Sequence, residues 1–163
     1  MLHTLNENYF ETIDTPEKAY WLGYLYADGH ISIKVPWFVI CQTIDADHLE
    51  KLKQTIEYTG NIKYPKYSGN FKNSSQMGRI ALCRKKLCID LIKLECVSPK
   101  NKLPLCPPEF YPSLIRGIFD GDGSISVQER TYIQNGKPYG PYIQKQCNII
   151  LHKDVVNDIS TIL

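Results

Sequence analysis

The chain has 163 residues, enough for one domain with a sizeable core, and is 43% apolar, 11% aromatic and 22% charged, an ordinary globular composition rather than a disordered or fibrous one. Its apolar runs fall far short of the roughly 20 residues a membrane-spanning helix needs, and its first residues have neither the basic start nor the apolar run of a secretory signal, so a soluble intracellular protein is expected. The net charge of +2 is too small to name a partner, but it is unevenly spread: residues 1–50 carry −6, residues 51–102 carry +9 and residues 103–163 carry −1.

In chain order, the first predicted element is a helix. Asp14 or Thr15 can cap it, Pro16 and Glu17 suit its opening turn, and Gly29 suits a left-handed residue ending it. Ile31 and Ile33 then alternate with Ser32 and Lys34, the period of a half-buried strand, and Pro36 marks a tight connection to a second strand over 37–43. An amphipathic helix follows over about 45–59, with Leu49, Leu52 and Ile56 on one face and Gly60 at its end. Two more strands are predicted at 61–71 and 77–83, then a helix over about 85–94 and a linker punctuated by Pro99, Pro104, Pro107 and Pro108. The fold class is therefore α+β, with an αββαββα half.

The six cysteines form no C-x-x-C pair, which argues against zinc, and a reducing compartment argues against disulfides. Cys83, ending Ile80-Ala81-Leu82, and Cys88, between Leu87 and Ile89, read as small core hydrophobes. His3, His30, His48 and His152 have no ligand spacing and read as surface or strand-end residues.

The strongest signal is a repeat. Trp21-Leu22-Gly23-Tyr24-Leu25-Tyr26-Ala27-Asp28-Gly29-His30-Ile31-Ser32-Ile33 aligns without gaps on Ile115-Arg116-Gly117-Ile118-Phe119-Asp120-Gly121-Asp122-Gly123-Ser124-Ile125-Ser126-Val127, at an offset of 94 residues. The second copy continues with a strand over 124–133, an Asn135-Gly136 turn, a strand over 142–151 and the start of a helix over 154–163. Residues 1–102 thus form one half-repeat and residues 103–163 a second, with no counterpart of residues 57–102. By that arithmetic the strand over 142–151 is left near an unprotected sheet edge, so residues 1–163 are expected to be aggregation-prone.

Within each repeated helix, Gly23 and Ala27 are four apart, as are Gly117 and Gly121. Glycine inside a helix is unfavourable by about 0.5–1 kcal/mol, so its use at matched positions predicts two helices packed backbone to backbone. Asp28 and Asp122 would then emerge side by side at the helix C-termini, where the macrodipole disfavours a carboxylate. Neighbouring carboxylates share a proton or gather divalent cations.

Segments 21–29 and 115–123 resemble the two signature motifs of the LAGLIDADG homing endonucleases. The similarity extends to Tyr9-Phe10, Lys18-Ala19-Tyr20, Asp47 to Leu52, and the Pro99-Lys100-Asn101-Lys102-Leu103 approach to the second motif. The resemblance implies a pseudo-twofold fold with the motif helices at its centre and an antiparallel sheet in each half, straddling double-stranded DNA, and monomeric when complete. It further implies that Asp28 and Asp122 bind Mg²⁺ at two scissile phosphates for site-specific hydrolysis of both strands. Lys102, with Lys100 as the fallback, matches a lysine that offsets charge on the phosphate, and Gln42 matches a polar residue that holds water near the metal. On this reading residues 1–163 cut DNA little or not at all.

DNA reading would fall to the hairpins and the basic strands. Gln128, Arg130, Tyr132, Gln134, Lys137 and Gln144 are available on the longer hairpin, and Arg and Gln suit bidentate contacts to guanine and adenine. Lys34, Lys63, Lys66, Lys72, Arg79 and Arg84 suit phosphates, which position without specifying. A non-cleaving nucleic-acid-binding protein on the same fold, such as an intron RNA maturase or a regulator, stands as the alternative; retention of both aspartates favours the nuclease.

Overall fold

A computed structural model describes residues 3–65 and 77–163. Among them the chain is α+β, with five α-helices and two small antiparallel sheets. Helix α1 (Pro16–Asp28) leads into β1 (Gly29–Ile31), β2 (Val39–Thr43), α2 (Ala46–Thr55), β3 (Gly78–Leu82) and α3 (Lys85–Lys93). After a short 3₁₀ turn, α4 (Tyr111–Asp122) leads into β4 (Gly123–Gln134), β5 (Lys137–Ile149) and α5 (Lys153–Ile162). No helix among the described residues is long and apolar enough to cross a membrane.

Thr15 caps α1, its hydroxyl accepting from the Lys18 N–H at 3.2 Å, while Pro16 fills a first-turn position that has no N–H to satisfy. Almost all of α1 is buried, from Ala19 to Ala27. The first sheet, ordered β1-β2-β3, turns Ile31, Val39, Cys41, Ile80 and Leu82 inward. These join Leu49 and Leu52 of α2, Leu87 and Leu91 of α3, and the inner side of α1 in one core. Leu114 and Ile118 of α4, with Val155 and Ile159 of α5, complete it.

The elements depart from the sequence reading in five places. The alternation expected over Ile31 to Lys34 is not kept, because β1 ends at Ile31 and the chain turns there: Ser32 is buried and Ile33 is 62% exposed. Gly29 is extended rather than left-handed, at φ −82° and ψ 147°. Its N–H still bonds Leu25 O as the chain swings directly into β1, and a Cβ there would lie 2.2 Å from that carbonyl oxygen. Glycine is needed for space, not for a positive φ. Helix α2 stops at Thr55, with Glu57 left-handed at φ 56°, short of Gly60. Of the strand expected over 61–71, the described part makes one bridge, Lys63 to Arg79; the rest lies outside the described residues. Strand β5 starts at Lys137 rather than at residue 142, because the ladder continues past a bulge at Gly140, where φ is +118°.

Cys41, Cys88 and Cys96 are buried thiols, but Cys83 is exposed. Alternation decides this: Leu82 points inward, so the next residue points out.

Candidate functional site

Helices α1 and α4 run parallel and meet where their side chains are smallest. A Cβ on Gly23 would lie 2.1 Å from Leu114 O, and one on Gly117 would lie 2.0 Å from Tyr20 O. These are one contact exchanged, since Gly117 follows Gly23, and Leu114 follows Tyr20, by the same 94 residues. The next atoms met, Ile118 N and Tyr24 N, obey the same offset. Further along, Gly121 abuts its own counterpart, the Ala27 methyl, at 2.4 Å from a built Cβ. Such reciprocity is what a twofold interface produces.

Both helices end in the same way. The Gly29 N–H bonds Leu25 O and the Gly123 N–H bonds Phe119 O, so Asp28 and Asp122 are the last residues of two adjoining helices. Their surroundings differ. Asp122 is exposed, whereas Asp28 is half-buried. Burial pushes the Asp28 carboxyl above its ordinary value, and the Asp122 charge pushes the same way. A hydrogen bond from the Tyr24 hydroxyl and the Lys100 ammonium pull it back. Tyr24 is buried. Ile118, at the matching place in α4, has no hydroxyl to act on Asp122 as Tyr24 acts on Asp28.

Of the two lysines considered from the sequence, Lys100 stands at this site. Its ammonium donates to Ala27 O at 2.7 Å and Gly29 O at 3.2 Å, and lies 5.7 Å from the Tyr26 ring centre. A cation on the last carbonyls of α1 offsets the negative end of the helix dipole beside Asp28. Lys102 is engaged elsewhere: its side chain is 69% exposed and its ammonium lies 3.8 Å from Glu95. Spacing along the proline-rich linker could not choose between them, because that segment has no regular periodicity to say which lysine turns toward α1.

Gln42 sits on β2 opposite Arg79, on the sheet face away from the core, and its amide donates to Met77 Sδ at 3.5 Å. Its neighbour Cys41 points inward, where burial and the Asp28 charge push its thiol up to about 12. Lys34 and Lys63 are exposed, and Arg79 is half-buried. Arg84 is tied down by donating to Cys83 O and His3 O. Lys66 and Lys72 lie outside the described residues.

The sequence reading missed a second polar cluster. Tyr20 of α1 donates its hydroxyl proton to Asp120 of α4 at 2.8 Å and receives His48 Nε2 of α2 at 3.1 Å. Because the tyrosine proton is committed to the carboxylate, His48 must be the donor, which fixes its tautomer. The imidazole sits against the rings of Trp21 and Tyr24, at centroid distances of 4.9 and 4.3 Å, and burial lowers its basicity despite Asp45 and Asp120. His48 thus belongs to a clasp across the two motif helices. A lone histidine in an amphipathic helix carries no mark of that.

The β4–β5 hairpin separates its side chains by face. Gln128 stands opposite Gln144, Arg130 opposite Tyr142, Tyr132 opposite Tyr139, and Gln134 opposite Lys137. Opposed residues in an antiparallel ladder share a face, so all six hairpin residues singled out from the sequence lie on one side. Ring contacts agree: Tyr132 stacks on Tyr139 at 5.6 Å and meets Tyr142 edge-on at 5.9 Å. The other side carries Ile125, Val127 and Ile143, each more than 60% exposed.

Asp28 and Asp122 supply hard carboxylate oxygens close enough for one charge to act on the other. No group of three or more metal-ligating side chains occurs among the described residues. That donor set suits Mg²⁺, which commonly takes one or two carboxylates and fills its other positions with water and substrate phosphate. Comparison with protein-family models and with curated proteins gives no match.

Proposed function

We propose that the chain is a site-specific DNA endonuclease on the LAGLIDADG homing-endonuclease fold, hydrolysing phosphodiester bonds with divalent metal. One observation carries the reading: two helices in a reciprocal, twofold-like contact end together in carboxylates, beside an ammonium held by backbone carbonyls. Carboxylates brought together at the dipole-disfavoured ends of two helices are a poor arrangement for stability and a good one for holding a cation against phosphate.

In this mechanism Asp28 and Asp122 would hold the cation, and Mg²⁺ bound there would supply Lewis-acid stabilisation of the charge on the phosphodiester. The Tyr24 hydroxyl favours the charged form of Asp28, the form that would hold a cation. Lys100 steadies the end of α1 and adds positive charge where the DNA phosphate would come closest. The polar face of the hairpin lies along the duplex. The tight seam at Gly23, Gly117 and Gly121 fixes the separation of the two acids.

The test is single-turnover reaction of excess protein with a plasmid library in Mg²⁺, scored for nicks as well as double-strand breaks, so that slow cutting registers. Nicking at a defined sequence is expected, reduced about a hundredfold or more in Asp28→Asn and in Asp122→Asn, with duplex binding retained. Metal-dependent cutting that survives in the double variant would remove the acids from the site.

A further inference from the structure

We infer that the cleft between α1, α2 and α4 is a binding site for a small phosphomonoester, whose dianion Lys51 and Arg116 hold from two of its walls. The cleft encloses about 510 Å³, within the range of small-molecule sites and more than a bare ion fills. It opens beside the N-terminal halves of the motif helices, between Glu17 and Tyr20 of α1 and Ser113 and Arg116 of α4. Lys51 and Gln54 of α2 form the third wall. Eight helical residues, or about 12 Å, lie between Tyr20 and Asp28, so the cleft is separate from the paired acids.

Both cations on this cleft are uncommitted. Lys51 has Asp47 one turn before it and Arg116 has Asp120 one turn after it, yet neither forms an ion pair with a described residue. Asp120 is taken instead by the Tyr20 hydroxyl, at 2.8 Å, and Glu17 accepts from the Thr55 hydroxyl at 3.4 Å. Arg116 Cζ lies 4.8 Å from the centre of the Tyr20 ring, which His48 and Asp120 hold in place. A guanidinium carries five N–H donors, so one anchored over a ring keeps donors for an anion. Two monocations match the charge of a phosphate dianion, and the Ser113 hydroxyl and Gln54 amide add neutral donors to the same lining. Glu17 on the rim opposes a string of phosphates, which would have to pass it, but not one phosphate carrying a neutral body. Lys51 belongs to the first half-repeat and Arg116 to the second, so a bound ester ties the halves together at the end remote from the acids. Such a site exists whether or not the acids cleave DNA.

The experiment is a nitrogen-15 magnetic resonance titration of residues 1–163 with glycerol 3-phosphate, inorganic phosphate and acetate. Ionic strength is matched, and EDTA keeps metal from the acids. Glycerol 3-phosphate is expected to shift the amides of 48–55 and 113–117 saturably, inorganic phosphate to shift them with lower affinity, and acetate to leave them in place. Lys51→Gln and Arg116→Gln should each weaken the ester about tenfold, as loss of one charge-assisted hydrogen bond does, while Asp28→Asn binds like wild type. Both substituted side chains are exposed, and circular dichroism without ligand checks that the fold is kept. Absence of saturable shifts, equal shifts with acetate, or affinity unchanged in both glutamine variants would overturn the inference. Tighter binding of inorganic phosphate than of the ester would overturn the ester assignment, and shifts confined to the amides around 28 and 122 would place the anion at the acids instead.

Discussion

The two halves of the chain are alike where their backbones touch and unlike where their charges sit. At the seam, Gly23 against Leu114 and Gly117 against Tyr20 repeat one contact to within 0.1 Å of built Cβ distance. Beyond the seam, the first half closes its sheet over α2 and α3 and sets Tyr24 and the Lys100 charge where both act on Asp28, whereas the second half sends out an exposed hairpin and leaves Asp122 open to solvent. Close packing tolerates no variation in a backbone contact, since one added methyl has nowhere to go. Side chains around a shared axis are free to diverge, so a symmetric scaffold can carry two acids of different character.

The largest stability effect expected from a single methyl lies at the seam. Gly117→Ala puts a carbon 2.0 Å from the Tyr20 carbonyl and forces α1 and α4 apart. A loss of about 3 kcal/mol, or roughly 10 °C in melting temperature, is expected by calorimetry or circular dichroism. The contrast is Gly136→Ala at the hairpin tip, where nothing lies within 4 Å and only the left-handed φ of +76° resists the change. About 1 kcal/mol is expected there. Equal losses at the two positions would mean that α1 and α4 are not in contact.

A smaller effect separates the two acids. The Asp28 pKa is raised in the folded state, chiefly by burial, so the folded protein holds this proton more tightly than the unfolded chain. The stability contribution of the neutral form is therefore present below the ordinary value of 3.8 and is lost as pH rises through the folded value. Asp28→Asn should melt higher than wild type at neutral pH, and the difference should shrink to nothing near pH 3. A variant that is less stable at neutral pH would show that the charge is better satisfied than its burial implies.

The seam was legible in the sequence because glycine spaced at four inside a helix has few uses other than close approach, and the matched pair supplied the partner. The face split of the hairpin was legible too, since period-two alternation places Gln128, Arg130, Tyr132 and Gln134 together whatever the rest of the fold does. The Tyr20–His48–Asp120 clasp was not, because it joins three elements, and no local pattern encodes a contact across 100 residues. Lys100 against Lys102 was undecidable for a related reason: in a linker without periodicity, which lysine turns toward the helix end is set by tertiary packing. The capping conformation at Gly29 misled because glycine serves both a left-handed turn and a steric squeeze, and residue identity alone does not separate them.

The account stands on Asp28 and Asp122 acting on one another at the joined ends of α1 and α4. The most direct measurement is the carbon-13 titration of the Asp28 side-chain carboxyl by nuclear magnetic resonance, in wild type and in Asp122→Asn. Asp28 is predicted to titrate above 3.8 in wild type and to move back down when the Asp122 charge is removed. An Asp28 titration that is unchanged by Asp122→Asn would contradict a shared site.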